Sequence, residues 1–254
     1  MYLWKYWHET RIVFGLSLAA IVIALILILK TQIGPSSQHP SFDQLAWILP
    51  SALDVQAYPV CFVAWLLGSH GVGRDLGEQS GSYLFSRPRS RAFFVWRDWG
   101  LGSAQLLVIV ALLNAVLGVL IYKFLIAAGD LLHGSIVLQG GPVTLAFIIW
   151  LNIVAAFLLA VLVFSITYFF TVLVKHSKGV MVAAGVLLGY IILEMVVKHY
   201  WPGVDLPPIV PSQFDVHSKI PGLLNHLAIF LVIRAGIILL FPFAAQLVLE
   251  KADL

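Results

Sequence analysis

The sequence predicts an all-α polytopic membrane protein: six transmembrane helices, an amphipathic interfacial helix at the amino terminus, and one charged segment between the second and third spans. Three observations carry that prediction. Of 254 residues, 61% are apolar and only 11% charged, against about 25% charged in an average soluble domain. The apolar residues fall into runs of about 20, long enough to cross the ~30 Å hydrocarbon core as helix. The charges gather at the ends of those runs, and most densely between His70 and Trp99.

Each element follows in order. Residues 1–11 mix Tyr2, Trp4, Tyr6 and Trp7 with Lys5, His8, Glu9 and Arg11. That mixture suits the headgroup layer, where aromatic rings keep one wet and one dry end. It reads as an interfacial helix or as the aromatic belt of the helix that follows. The first span covers residues 12–29. Its apolar core exceeds the 7–15 residues usual for a signal peptide and lacks a small-residue cleavage pattern, so it reads as a retained anchor. The second span covers residues 53–69 and the third 99–122. The fourth, 143–174, would measure about 48 Å at 1.5 Å per residue and must tilt or project past the headgroups. Residues 180–197 and 223–249 form the fifth and sixth. Of the connections, 32–50 is polar and turn-rich, 123–141 is half apolar and suits an interfacial helix, and 200–221 carries five prolines that disfavour a regular helix.

Six spans place both termini on one side, and charge selects the side. With the amino terminus inside, the inner segments hold Lys5, Arg11, Arg74, Arg87, Arg89, Arg91, Arg97, Lys175, Lys178 and Lys251, and the outer ones only Lys30, Lys123, Lys198 and Lys219. The bias puts both ends, and the charged segment 70–98, in the cytoplasm. It also accounts for the net charge of +3, which therefore does not point to nucleic acid. Cys61 is the one cysteine. It excludes an intrachain disulfide and reads as a small buried hydrophobe.

The segment 70–98 holds Arg74, Asp75, Glu78, Arg87, Arg89, Arg91, Arg97 and Asp98. An arginine or aspartate at the centre of a membrane helix costs about 2.5–3.5 kcal/mol, so these charges are expected in water or against another protein. Gly77 and Gly81 permit breaks around a short helix. Pro88 holds Arg87 extended. Arg87, Arg89 and Arg91 alternate, so an extended stretch would turn them to one side, toward acidic groups of a partner or lipid phosphates.

The run from Arg74 to Arg91 resembles the first cytoplasmic loop of type-2 ABC transporter permeases, the membrane subunits of ATP-binding-cassette exporters. The likeness rests on Glu78, the Gly81-Ser82 pair, Leu84, and Ser86-Arg87-Pro88-Arg89-Ser90-Arg91 leading into the third span. The long fourth span passing through Lys175-His176-Ser177-Lys178 into a small-residue-rich fifth adds to it, as does the six-span plan. The sharp part covers about eighteen residues. Arg97 stands where a lysine is common, and Phe85 replaces a usual leucine. The resemblance implies an inner-membrane permease of a prokaryote that pairs with a second copy or a sister permease. A separate ATP-binding-cassette ATPase would dock on Arg74, Asp75, Glu78, Gly81, Ser82, Arg87, Pro88, Arg89, Ser90 and Arg91, with ATP and Mg in that partner and no cofactor in this chain.

The residues themselves add two constraints. No G-x-x-x-x-G-K-[ST] run occurs, so this chain does not cradle ATP by that device, and no clustered nucleophile, base or metal set marks an enzyme. Arg234 falls midway along the sixth span, where an ionisable group is a functional-site hypothesis by default. Glu194 on the fifth span approaches from the outer end as a partner for it. Asn114 and Asn152 read as interhelical hydrogen-bonding groups, and Gly179, Gly185 and Gly189 as positions of close helix approach. Glu194, His199, His217 and His226 lack ligand spacing and read as structural. An ion-gradient-driven transporter or channel, and a non-transporting anchor or signalling protein, are the alternatives. The apolar spans suit lipids, drugs, peptides and glycolipids alike.

Overall fold

The computed structural model describes residues 2–32, 59–77, 90–127, 136–138, 141–143, 145–174, 177–200 and 223–251. They form α1 (Tyr2–Gln32), α2 (Pro59–Gly68), α3 (Val72–Gly77), α4 (Arg91–Ala127), β1 (Ile136–Leu138), β2 (Gly141–Val143), α5 (Leu145–Val174), α6 (Ser177–Tyr200) and α7 (Leu223–Lys251). The described chain is helical apart from that one strand pair. Among the described residues, four helices are long and apolar enough to cross a membrane, over Arg91–Val116, Ala156–Val174, Lys178–Val197 and Leu231–Lys251. Four such helices in one chain mark a multi-pass, membrane-embedded protein.

Several elements differ from the sequence expectation, each for a physical reason. Residues 2–11 are not a separate interfacial helix but the opening turns of α1, whose helix is unbroken over 31 residues. No proline falls in it, and the helix runs on through Gly15. The third span was expected from Trp99, yet α4 starts at Arg91, because Ser90 caps it: the Phe93 amide donates to the Ser90 hydroxyl at 3.3 Å and to its carbonyl at 3.0 Å. α4 has 37 residues, about 55 Å of helix, so it too exceeds the hydrocarbon core. Of the connection 123–141, expected to suit an interfacial helix, residues 128–135 and 139–140 lie outside the described residues. α4 continues to Ala127, and β1 then pairs antiparallel with β2, Ile136 opposite Val143 and Leu138 opposite Gly141. The β-branched Ile136, Val137 and Val143 favour that strand pair over a helix.

α5 is the central helix, packed by α4, α6, α7 and α3, while α1 lies on α4. Two buried apolar clusters divide the bundle. The central cluster joins α2, α4, α5 and α7 through Leu67, Leu106, Ile109, Phe164 and Ile238, among others. The second, the end cluster, joins α3, α4, α5 and α7 through Val72, Phe94, Val95, Tyr168, Ala245 and Leu249. Phe164 stacks on Tyr168 at 6.0 Å where the two clusters meet. Small residues permit these approaches. A Cβ on Gly68 would come within 2.8 Å of both the Phe164 carbonyl oxygen and the Thr167 Cβ, so α2 rests directly on the backbone of α5. The Thr171 hydroxyl fastens the same contact, donating to the Tyr168 carbonyl at 2.7 Å and to the Gly68 carbonyl at 3.2 Å.

Candidate functional site

The charged connection between α2 and α4 is built around one glycine and one carboxylate. α2 ends at Gly68, and the Ser69 hydroxyl closes its last turn by donating to the Leu66 carbonyl at 2.6 Å. Gly71 follows with φ of +87°, a conformation that residues with a Cβ rarely adopt. Its carbonyl accepts the amides of Arg74 at 3.0 Å and Asp75 at 3.1 Å, which starts α3. The first-turn amide of Val72 has no acceptor within its own helix. It donates instead to Asp98 Oδ2 at 3.1 Å, from 26 residues further along the chain. A Cβ on Gly71 would stand 2.9 Å from that same oxygen. Gly71 is therefore required both for its backbone angle and for the space that Asp98 occupies.

Asp98 is itself held. It is 2% exposed, and Arg97 Nε donates to its Oδ1 at 2.9 Å, with a second bond from the other guanidinium edge. A buried carboxylate is costly unless it is paired and hydrogen-bonded, and here three donors meet it. The Arg97 guanidinium lies over the Phe94 ring at 5.5 Å and the Phe93 ring at 6.0 Å, which shields the pair and ties it to the end cluster. Asp75 is also buried. This corrects the expectation that every charge of the segment lies in water or on a partner: Asp75 and Asp98 are inside the chain.

The first turns of α4 also meet the last turns of α7. Arg91 donates to the Leu249 carbonyl, one of the terminal carbonyls that α7 cannot bond internally. Trp96 Nε1 donates to Gln246 Oε1 at 2.8 Å, and Gln246 Nε2 to Glu250 Oε1 at 2.8 Å. Arg91 thus opens a helix and turns inward to α7, and does not extend an alternating row with Arg87 and Arg89. Ser90 caps α4, and Arg74 is half-buried on α3. Glu78, Gly81, Ser82, Arg87, Pro88 and Arg89 lie outside the described residues.

Within the spans, Arg234 is buried on α7, with electrostatic influence from Cys61 of α2 and Tyr190 of α6. Glu194 is one helical turn beyond Tyr190; its side chain, like those of Asn152 and His199, is outside the described set, as are His217 and His226. Asn114 is buried and, among the described residues, does not join helices as expected. Its Nδ2 donates to the Val110 carbonyl of its own helix at 2.8 Å, and its Oδ1 finds no partner among the described residues. Interhelical polar contacts among the described residues include Gln105 Nε2 of α4 to Thr10 Oγ1 of α1 at 2.9 Å, and Trp99 Nε1 of α4 to Ser165 Oγ of α5 at 2.8 Å. Sequence reasoning counted Asp98 only among the segment's solvent-facing charges and passed over Trp96 and Gln246. Asp98 had a readable signal, an acidic residue beside Arg97 where the chain turns apolar. Gln246 had the weaker one of an amide in an apolar helix.

The arrangement fixes the short helix α3 to the end of the bundle. Comparison of the chain with family models, with curated proteins and with solved structures gave no match.

Proposed function

We propose that this chain is the membrane subunit of an ATP-binding-cassette exporter of the type-2 permease kind. In that reading it crosses the inner membrane of a prokaryote six times, with both termini in the cytoplasm. A separate ATP-binding-cassette ATPase docks on the segment from α3 to Ser90 and holds the ATP and Mg. A second copy or a sister permease completes twelve spans around the transport pathway.

The observation that supports this reading most is the setting of α3. Its six residues are fastened by a buried carboxylate at the end of the bundle where α4, α5 and α7 meet in one cluster. A load applied there passes to α4 through the Val72–Asp98 bond and to α5 through the buried cluster that Val72 shares with Tyr168 and Val172. The basic residues Arg74, Arg91, Arg97, Lys178 and Lys251 belong to the same end, which supports its cytoplasmic placement. The buried Arg234 favours a second reading, transport driven by an ion gradient.

Affinity purification of the tagged chain from cross-linked native membranes tests the proposal. An ATP-binding-cassette ATPase should co-purify, and Glu78→Ala with Arg87→Ala should cut its recovery roughly tenfold, equivalent to about 1.4 kcal/mol, with membrane insertion unchanged. Equal recovery from the double variant, or cysteine labelling from outside intact cells at residues 78–89, overturns it. Transport that stops on collapse of the ion gradient at constant ATP favours the second reading.

A further inference from the structure

We infer that the last two turns of α7 are yoked to the α3 segment and move with it, bending away from the rest of α7 at Pro242. This deepens the exporter reading by naming α7 as a further driven element, and it rests on that reading only for the origin of the force.

Three independent observations converge on it. The first is bonding: Arg91 donates to the Leu249 carbonyl, and Trp96 to Gln246, so two side chains of α4 hold α7 across separations of 158 and 150 residues. The second is packing. Ala245 and Leu249 of α7 are 0% and 1% exposed and share the end cluster with Val72 of α3 and with Phe94 and Val95 of α4. The third is the position of a proline. Pro242 lies inside α7, where it has no amide to give the carbonyl four residues back, at Ile238. Ile238 belongs to the central cluster. The proline therefore falls between the part of α7 held by the central cluster and the part held by the end cluster, and proline is the commonest origin of a sharp helix bend. Arg91 is in this scheme a positioning residue: it acts on transport only through where it holds α7.

Hydrogen exchange of the purified full chain in lipid nanodiscs tests this without any ATPase. Arg91→Met keeps the aliphatic stem and removes the donor. It should raise exchange at least ~3-fold in residues 245–251 and also in residues 72–77, which share the end cluster, while residues 231–241 on the far side of Pro242 keep their rates. Arg91→Lys, which still donates to the carbonyl, should restore both segments. Trp96→Phe keeps the ring, loses its donor, and provides a milder variant if Arg91→Met does not fold; it should move the same two segments in the same direction. A rise confined to residues 245–251, a rise that runs through 231–241, or unchanged exchange in both variants overturns the yoke. A chain that responds at both segments but captures no ATPase keeps the yoke and loses the exporter reading. A chain that captures an ATPase but responds at one segment only does the reverse.

Discussion

α5 and α6 follow one another across residues 175–176, and both are apolar enough to cross a membrane. Yet 56% of the α5 span is buried inside the chain and only 12% of the α6 span. The difference lies in what interrupts their apolar residues. α5 carries Ser165, Thr167 and Thr171, all fully buried. Their hydroxyls reach backbone carbonyls or, at Ser165, accept from Trp99. α6 exposes Met181, Leu188, Ile192 and Met195. Lipid tails are as apolar as leucine, so hydrophobicity does not drive one membrane helix against another; close packing and polar contacts do. In this bundle the buried helix is recognised by its small polar residues and the peripheral one by its long aliphatic ones.

The glycines of α6 give the sharpest way to break that comparison. A Cβ on Gly179 would lie 2.2 Å from the Phe170 carbonyl oxygen and 2.6 Å from the Thr171 Cα, whereas none of the described residues lies within 4 Å of a Cβ on Gly185 or Gly189. All three were expected to allow close helix approach, within the chain or at a subunit contact; Gly179 seats α6 on α5, whereas Gly185 and Gly189 are exposed in the single chain. Gly179→Leu should therefore destabilise the fold by ~3 kcal/mol or more through overpacking against backbone, enough to remove the protein from the membrane fraction. Gly185→Leu should leave the thermal midpoint of the detergent-solubilised monomer within a few degrees of the parent. Equal losses would mean that α6 packs on both faces.

Truncation of one leucine in each helix gives a smaller contrast. Leu159 of α5 is fully buried, and Leu188 of α6 is 59% exposed. Leu159→Ala should cost about 2–4 kcal/mol, lost contacts plus the cavity left behind. Leu188→Ala should stay within ~0.5 kcal/mol, both read from denaturant unfolding in one detergent. A Leu188→Ala loss that appears in bilayers but not in the dispersed monomer would show that a protein surface, not lipid, covers α6.

Much of the bundle was legible because apolar runs and their charged ends are one-dimensional signals. The expected spans 180–197 and 223–249 lie within α6 and α7, and 143–174 ends where α5 ends. The start of α4 was misplaced by eight residues because Arg97 and Asp98 look like a loop. They are tolerated in helix only because they pair with each other and cap α3. The centre of the candidate site was hidden for the same reason. Nothing near Val72 in sequence announces Asp98, and nothing near Arg91 announces Leu249; both contacts arise when helices far apart in the chain end side by side. Gly71 was similarly indistinct among the many glycines until its positive φ and the neighbouring carboxylate gave it a role.

The smallest expected effect concerns the hydroxyl that most clearly marks α5 as buried. Thr171→Val replaces Oγ1 by a methyl group of nearly equal volume, so packing is kept and only the hydrogen bond is removed. That hydroxyl serves the Tyr168 carbonyl of its own helix and, at a longer 3.2 Å, the Gly68 carbonyl at the end of α2. Only the second contact joins two helices. Interhelical hydrogen bonds inside membranes average about 0.6 kcal/mol, so the substitution should cost roughly that amount, well below Leu159→Ala. The close approach of Gly68 to Phe164 and Thr167 would still hold α2 in place. Gly68→Ala supplies the check, because it attacks packing and spares the hydroxyl, and it should cost about 1–3 kcal/mol. If Thr171→Val proves the more damaging of the two, hydrogen bonding rather than backbone proximity seats α2 on α5, and the small polar residues of α5 act as fasteners as well as markers of its burial.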